Sequence, residues 1–178
     1  MMRKVILYIA MSLDGYIADK RGDVQWLAGD GTAPENQGSY PRFYETIDTV
    51  VLGYTTYHQI KTELSPDKWM YEGKQSVVLT HREKTSTKEI VFTDESIADL
   101  INRLKAQSGK DIWICGGASI VNQLIKLHLI DRYHITVIPT ILGGGIPLFE
   151  QLETEIKLRL VKTEEYNGMV DLVYEPRI

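Results

Sequence analysis

The stretch that most constrains the fold is DIWICGGASIVNQLI, residues 111–125. An apolar run at 112–115 meets Gly116-Gly117, after which Ile120, Val121, Leu124 and Ile125 recur at helical spacing. A strand, a two-glycine turn and a helix start thus follow one another directly. Two glycines remove both Cβ atoms where strand becomes helix, so another group can approach the backbone closely. The free N–H groups and the dipole of the helix N-terminus favour an anion such as a phosphate there. A tight turn without a ligand is the other reading of the same residues. The stretch is not a G-x-G-x-x-G fingerprint, and no Walker G-K-[ST] follows it.

A second junction of this kind lies upstream. Residues 49–52 (TVVL) read as a buried strand, Gly53 ends it, and a helix over 54–62 begins at once. Thr55 and Thr56 fall in its opening turn, where a hydroxyl either caps the helix or touches a phosphate. Residues 76–79 (SVVL) form another buried strand, followed by Thr80-His81-Arg82. The remaining strands fall at 4–10, 16–18, 90–92, 132–138, 156–163 and 169–174, with Asn167-Gly168 a hairpin signal between the last two. A helix over 96–107 places Ile97, Leu100, Ile101 and Leu104 on one face. Pro41 opens a short helix that carries Phe43, Tyr44 and Ile47 and ends near Asp48. Residues 28–39 are polar and predict a mobile loop, and the Gly143-Gly144-Gly145 segment through Phe149 predicts irregular backbone. Strands alternating with helices imply an α/β protein with a mostly parallel sheet flanked by helices, closed by an antiparallel C-terminal pair.

Bulk properties narrow the function class. At 178 residues the chain is expected to form a single domain (1–178), which buries roughly 70% of its unfolded surface. Net charge is −4 without a basic block, which argues against nucleic acid. No run approaches the ~20 apolar residues of a membrane span, and the apolar N-terminal run reads as a strand and not a signal peptide. The lone cysteine, Cys115, excludes an internal disulfide framework, and a cytoplasmic protein is expected. The four histidines show no ligand spacing, so no metal is expected.

In open α/β sheets, ligands bind beyond the carboxyl ends of the strands. Three such ends carry suggestive residues: Gly53 with Thr55 and Thr56; Leu79, Thr80, His81 and Arg82; and Cys115 through Ile120, which includes Gly116, Gly117, Ala118 and Ser119. Together they suit a dinucleotide, with amides and hydroxyls on the pyrophosphate and Arg82 and His81 on a 2′-phosphate. Taken alone, Arg82 also reads as a solvated loop residue. No nucleophile elbow and no paired carboxylates are present, which fits chemistry carried by a bound cofactor. Asp14 is the candidate catalytic carboxylate, to orient a substrate or water, and it is equally the first residue of an Asp-Gly turn. Cys115 reads as a small buried hydrophobe and not a nucleophile.

The sequence as a whole resembles the dihydrofolate reductase fold. It resembles in particular the bacterial dihydrofolate-reductase-like family that includes the C-terminal reductase domain of bifunctional riboflavin biosynthesis proteins. The pieces that carry the resemblance run in order: Ala10-Met11-Ser12-Leu13-Asp14-Gly15; Val50-Val51-Leu52-Gly53 with Thr55-Thr56; Val77 through Glu83; Cys115-Gly116-Gly117-Ala118-Ser119; and LGGGIPLF at 142–149. The resemblance implies a dihydrofolate-reductase-like mixed sheet and NADPH at the three junctions, with Ala10 also contributing. It implies a substrate pocket near Ala10, Trp26 and Phe43, with Thr136 as a further candidate contact, and a homodimer. The implied activity is an NADPH-dependent reduction of a CH–NH or C=N bond in a small pteridine or aminopyrimidine. That activity is similar to those of dihydrofolate reductase and of 5-amino-6-(5-phosphoribosylamino)uracil reductase. A non-catalytic, dimeric dinucleotide-binding protein of the same fold is the alternative.

Three positions depart from these relatives. Folate reductases carry an acid four residues before the Phe matched by Phe43, where this chain has Ser39. Riboflavin-pathway reductases carry a Lys where this chain has Tyr8. Tyr54 stands where folate reductases place an Arg after the glycine matched by Gly53, which leaves His81 and Arg82 to select NADPH.

Overall fold

The computed structural model describes residues 2–177. In chain order the elements are β1 (Val5–Ser12), β2 (Tyr16–Ala18), α1 (Tyr40–Thr46), β3 (Ile47–Gly53), α2 (Tyr54–Gln59), β4 (Gln75–Leu79), β5 (Ile90–Thr93), α3 (Ile97–Ala106), β6 (Asp111–Gly116), α4 (Ala118–Lys126), β7 (Arg132–Ile138), β8 (Ile146–Pro147), β9 (Leu158–Tyr166) and β10 (Met169–Pro176). They build a mixed, mostly parallel eight-stranded sheet with four helices, as the alternation of strands and helices predicts, and a separate pair formed by β2 and β8. The described residues fall into two compact units, each discontinuous in sequence.

The first unit comprises residues 2–5 and 46–129. Its strands run in the order β5-β4-β3-β6, every neighbouring pair parallel. The inner strands β4, β3 and β6 are rich in β-branched residues and mostly buried, so they read as apolar runs without alternation, whereas β5 at the edge is half-buried. The helix α3 begins at Ser96, whose Oγ accepts the Asp99 amide at 3.1 Å and donates to the Asp99 carboxylate at 2.6 Å. Its Ile97, Leu100, Ile101 and Leu104 are buried, and each fully buried Leu contributes roughly 1.5–3 kcal/mol over leaving it exposed. The helix α2 ends in a wider turn at Ile60–Leu64, where the Ser65 amide reaches back five residues to the Ile60 carbonyl.

One polar residue locks this unit, and its role is not legible in the sequence. Arg3 is almost fully buried, and its guanidinium donates to the Lys110 carbonyl at 2.6 Å, the Leu104 carbonyl at 3.1 Å and Thr49 Oγ1 at 2.7 Å. It also pairs with Asp48, whose other oxygen accepts the Lys110 amide. The carbonyl of Leu104 belongs to the last turn of α3, where a cation opposes the negative end of the helix.

The second unit comprises residues 6–45 and 130–177. Here β1 pairs with β7 in parallel, while β7 with β10 and β10 with β9 are antiparallel. The turn at Asn167-Gly168 has positive φ at both residues, as a two-residue hairpin requires. Residues 28–39, expected to be mobile, are instead tied to this hairpin. The Asp30 amide donates to the Asn167 carbonyl at 2.9 Å, and the Ala33 amide donates to Asn167 Oδ1 at 3.0 Å. Gly38, at φ +59°, packs so closely on the Tyr166 ring that no side chain would fit.

Several sequence-based readings change. The helix over Phe43 ends at Thr46, and Ile47 opens β3 instead, because its side chain is fully buried as the first residue of that strand. The segment after the three glycines is not wholly irregular, since Ile146–Pro147 pairs with Tyr16–Ala18. Neither Thr55 nor Thr56 caps α2, whose N-cap is Gly53 without a side-chain bond.

Candidate functional site

In the first unit the three expected junctions come together at the carboxyl ends of adjacent strands. Leu79 lies opposite Gly53 across β4 and β3, and Leu52 lies opposite Gly116 across β3 and β6. The two glycine junctions abut: a Cβ on Gly53 would sit 3.2 Å from Ile120 Cδ1 and 3.9 Å from the Gly117 nitrogen. A Cβ on Gly117 would sit 3.4 Å from Thr56 Oγ1. Parallel pairing accounts for this, because parallel strands deliver their C-terminal ends, and the helices that follow, to one edge. The peptide bond between Gly116 and Gly117 is cis. The N-cap of α4 is Gly117 and no side chain caps it, so Ala118 and Ser119 open a helix whose first amides lack a side-chain acceptor.

The other members of this set divide by exposure. Thr55, His81, Arg82 and Ser119 are exposed, Thr56, Leu79, Thr80 and Ala118 are half-buried, and Ile120 is buried among the helix-packing residues. Thr80 Oγ1 accepts the Arg82 amide at 3.0 Å and so shapes the turn after β4. The guanidinium of Arg82 lies 4.7 Å from the centroid of the Tyr54 ring, and Lys84 Nζ lies 5.5 Å from it. Tyr54 therefore gathers two cations on its ring. The thiol of Cys115 shares a 3.2 Å hydrogen bond with the Tyr71 hydroxyl, and desolvation pushes its pKa up to about 11. It is a neutral thiol under ordinary conditions, on a residue that is half-buried and not fully buried as expected.

In the second unit the chemistry concentrates where it was not expected. Asp171, only 1% exposed, lies on β10 opposite Thr136 of β7, which in turn lies opposite Ala10 of β1. Its carboxylate accepts from Ser39, from Thr136 Oγ1 at 2.6 Å and from the Tyr166 hydroxyl at 3.0 Å. His134 Nε2 lies 3.2 Å from Asp171 Oδ2 and 3.1 Å from Ser39 Oγ. The hydroxyl of Tyr8 shares a 3.1 Å hydrogen bond with Ser39 Oγ. Burial pushes the Asp171 carboxyl up, but the bonds from His134, Ser39 and Thr136 outweigh it and hold the carboxyl below the ordinary value. Burial and the Asp171 charge push the phenols of Tyr166 and Tyr8 up, so both stay protonated.

The ring of Tyr8 stacks on Phe43 at 4.3 Å and 19°, and its centroid is 4.2 Å from that of His134. Phe43, a candidate substrate contact, is thereby buried against the chain's own tyrosine. Thr136 is buried and bonded to Asp171, and Trp26 is half-buried with Nε1 donating to the Asp23 carbonyl at 3.1 Å. Both oxygens of Asp14 are engaged. Oδ1 accepts from Ser12 Oγ at 2.6 Å and the Leu142 amide at 3.1 Å, and Oδ2 accepts the Gly143 amide at 2.8 Å. The bond from Ser12 chiefly holds its carboxyl below the ordinary value. Asp14 thus ties the glycine segment to the β1 turn.

The sequence did contain a signal for this cluster. In RYHITVI, residues 132–138, His134 and Thr136 are two apart and share one face of the strand. Asp171 in MVDLVYEP alternates with apolar neighbours and therefore looks like a solvent-facing residue.

No helix among the described residues is long and apolar enough to cross a membrane. Comparison with known proteins agrees with the architecture. The protein YwjB of Bacillus subtilis (strain 168), described as uncharacterized, is 43% identical over 175 residues, 98% of each chain. The structure of a putative riboflavin biosynthesis protein from Shewanella sp. PV-4 superposes with a TM-score of 0.84 at 30% identity, covering 100% of both chains. Dihydrofolate reductase from Enterococcus faecalis, complexed with NADP(H), shares the fold at a TM-score of 0.71 and 17% identity, again over 100% of both chains. The family described as RibD C-terminal domain matches residues 3–171, and the chain belongs to that family.

Proposed function

We propose that the chain is an NADPH-dependent reductase acting on a C=N or CH–NH bond of a small, flat nitrogen heterocycle of the pteridine or aminopyrimidine type. The observation that carries this reading is the register of three strand ends in the first unit, with Leu79 opposite Gly53 and Leu52 opposite Gly116. It gathers two Cβ-free approaches, the uncapped start of α4 and a pair of cations on one edge.

These residues fit a phosphorylated dinucleotide. The opening amides of α4 and the hydroxyls of Thr55, Thr56 and Ser119 would hold the pyrophosphate, while Arg82, Lys84 and His81 would hold a 2′-phosphate. When bound, the reduced nicotinamide supplies a hydride. Asp14 fixes the Leu142–Gly143 backbone, and the Asp171 cluster fixes Ser39 and Tyr8. The protein is taken to work as a homodimer, a point that light scattering during gel filtration would test.

The test is a thermal shift with NADPH, NADH and inorganic phosphate in parallel. It is followed by NADPH oxidation with a panel of pteridines and aminopyrimidines. A ligand at ~100 times its Kd adds roughly 2.7 kcal/mol, and at about 2–4 °C per kcal/mol the midpoint rises by about 5–10 °C. No shift with either nucleotide at millimolar concentration would overturn the reductase reading. A second reading, a dinucleotide-binding protein without turnover, is favoured by Ser39 and by the coverage of Phe43 by Tyr8. It predicts an NADPH shift and no oxidation with any member of the panel.

A further inference from the structure

We propose that the sheet face of the second unit turned away from α1 receives a second copy of this chain, whose strands lie end for end across it. This rests on the homodimer reading given above and names its surface.

Strand register assigns the two faces, because residues directly opposite one another share a face and faces alternate along each strand. Tyr8 lies opposite His134, and both rings meet Phe43, so theirs is the face that α1 covers. The other face is built in rows across β1, β7, β10 and β9. Leu7, Tyr133, Tyr174 and Leu160 form one row. Ile9, Ile135, Leu172 and Thr163 form the next, and Met11, Val137, Val170 and Glu165 the third. All but Thr163 and Glu165 are apolar or aromatic.

The rows open towards β9. Leu7 is 0% and Tyr133 5% exposed, Tyr174 is half-buried, and Leu160 is 56% exposed. In the next row Leu172 is half-buried and Thr163 exposed. Among the described residues, 40–45 of α1 are this unit's helical segment, and they pack on the opposite face. Val161 is the extra residue of a bulge where β9 pairs with Val173 and Tyr174, and it is 46% exposed. A bulge with Lys162 beside it discourages strand addition along the β9 edge. The open apolar surface is therefore met from above the sheet.

Area and charge both point to a second copy. The exposed apolar surface of the face is on the order of 500 Å², at the upper end of what a monomer leaves open. Two such faces bury on the order of 1,000 Å² before their polar rim is counted, the size from which a specific interface is stable. A twisted sheet face packs well on another sheet face, and a copy supplies one that is equally apolar. Glu165 is the ionised residue of the three rows and lies at the hairpin end of β9. Lys157 and Arg159, with side chains 66% exposed, flank the other end. A two-fold axis crossing the strands turns β9 end for end, so the acidic end of one copy lies over the basic end of the other.

The experiment is sedimentation velocity of the full chain at micromolar concentration, for wild type, Leu160→Glu, Leu172→Glu and Glu165→Lys. Circular dichroism first establishes which variants fold; Leu160 and Glu165 are exposed, so their variants are expected to fold. Wild type is expected to sediment as a dimer. Each folded Leu→Glu variant is expected to raise the dimer Kd about tenfold or more, because it places an unpaired charge in the interface. Glu165→Lys is expected to raise it about threefold or more at low salt, with a smaller effect at high salt. A monomeric wild type overturns the homodimer reading and this proposal together, and its capture by neutral lipid vesicles would assign the face to a membrane instead. A dimer that folded Leu160→Glu leaves intact overturns the surface alone. A dimer indifferent to Glu165→Lys at low salt overturns the end-for-end arrangement. The NADPH thermal shift decides the reductase reading independently of all three.

Discussion

The hydroxyl of Ser39 donates to the carboxylate of Asp171, although 132 residues separate them in the chain. Ser39 stands where folate reductases carry an acid, and the carboxylate bonded to it comes from β10. The second unit therefore holds a buried negative charge beside the start of α1, contributed by a strand near the other end of the chain. Four donors surround that charge, from Ser39, Thr136, Tyr166 and His134, and this lets a carboxylate persist at 1% exposure.

This arrangement predicts a specific acid sensitivity. The folded pKa of Asp171 lies below its ordinary value of 3.8, so its contribution to stability is complete above that value. The contribution is lost as pH falls from there through the folded value. Urea unfolding at pH 7, 5 and 3 should show wild type losing stability at the lowest pH. Asp171→Asn should be less stable at pH 7 by about 2–4 kcal/mol, and its loss between pH 5 and 3 should be smaller than that of wild type.

Cofactor selection should reside in the cations gathered on Tyr54. Arg82→Ala combined with Lys84→Ala should leave the unliganded melting midpoint almost unchanged, since both side chains are exposed. The preference for NADPH over NADH should fall by roughly tenfold or more, because charge-assisted bonds to a phosphate are lost. Kd values for the two nucleotides, measured side by side, give the ratio directly.

Arg3 should be a stability residue with no influence on ligand selectivity. Arg3→Met keeps much of the buried stem but removes the guanidinium from Asp48 and from the carbonyls of Leu104 and Lys110, while Asp48 keeps the Lys110 amide and the Thr49 hydroxyl. Removing one partner of a buried ion pair costs about 3–5 kcal/mol. Asp48 is 40% exposed and can regain water, so a loss of about 2–3 kcal/mol is expected. Denaturant midpoints at constant m-value are the measurement.

Cys115 should be chemically quiet in the folded state. Desolvation raises its pKa to about 11, so thiolate is scarce at pH 8. Reaction with a disulfide reagent should be slow in native buffer and rapid, with one equivalent, after unfolding in guanidinium. Fast native labelling would contradict the packing around the thiol.

The sequence alone determined what is local. Strand–glycine–helix junctions at Gly53 and Gly116-Gly117, the capped helix after Ser96 and the Asn167-Gly168 hairpin each depend on neighbours within a few residues. Periodicity and glycine placement reveal such features directly. Alternation of strands and helices then fixed the class of sheet. Tertiary structure alone decided the partners of the polar residues. Asp171, His134, Ser39 and Tyr8 come from β10, β7, the residue before α1, and β1. Arg3 reaches Lys110 across 107 positions. In sequence, an Asp or Arg beside apolar neighbours looks solvated, because a buried charge is tolerated only when distant donors or acceptors converge on it. That convergence is a property of the packed chain and leaves no periodic trace.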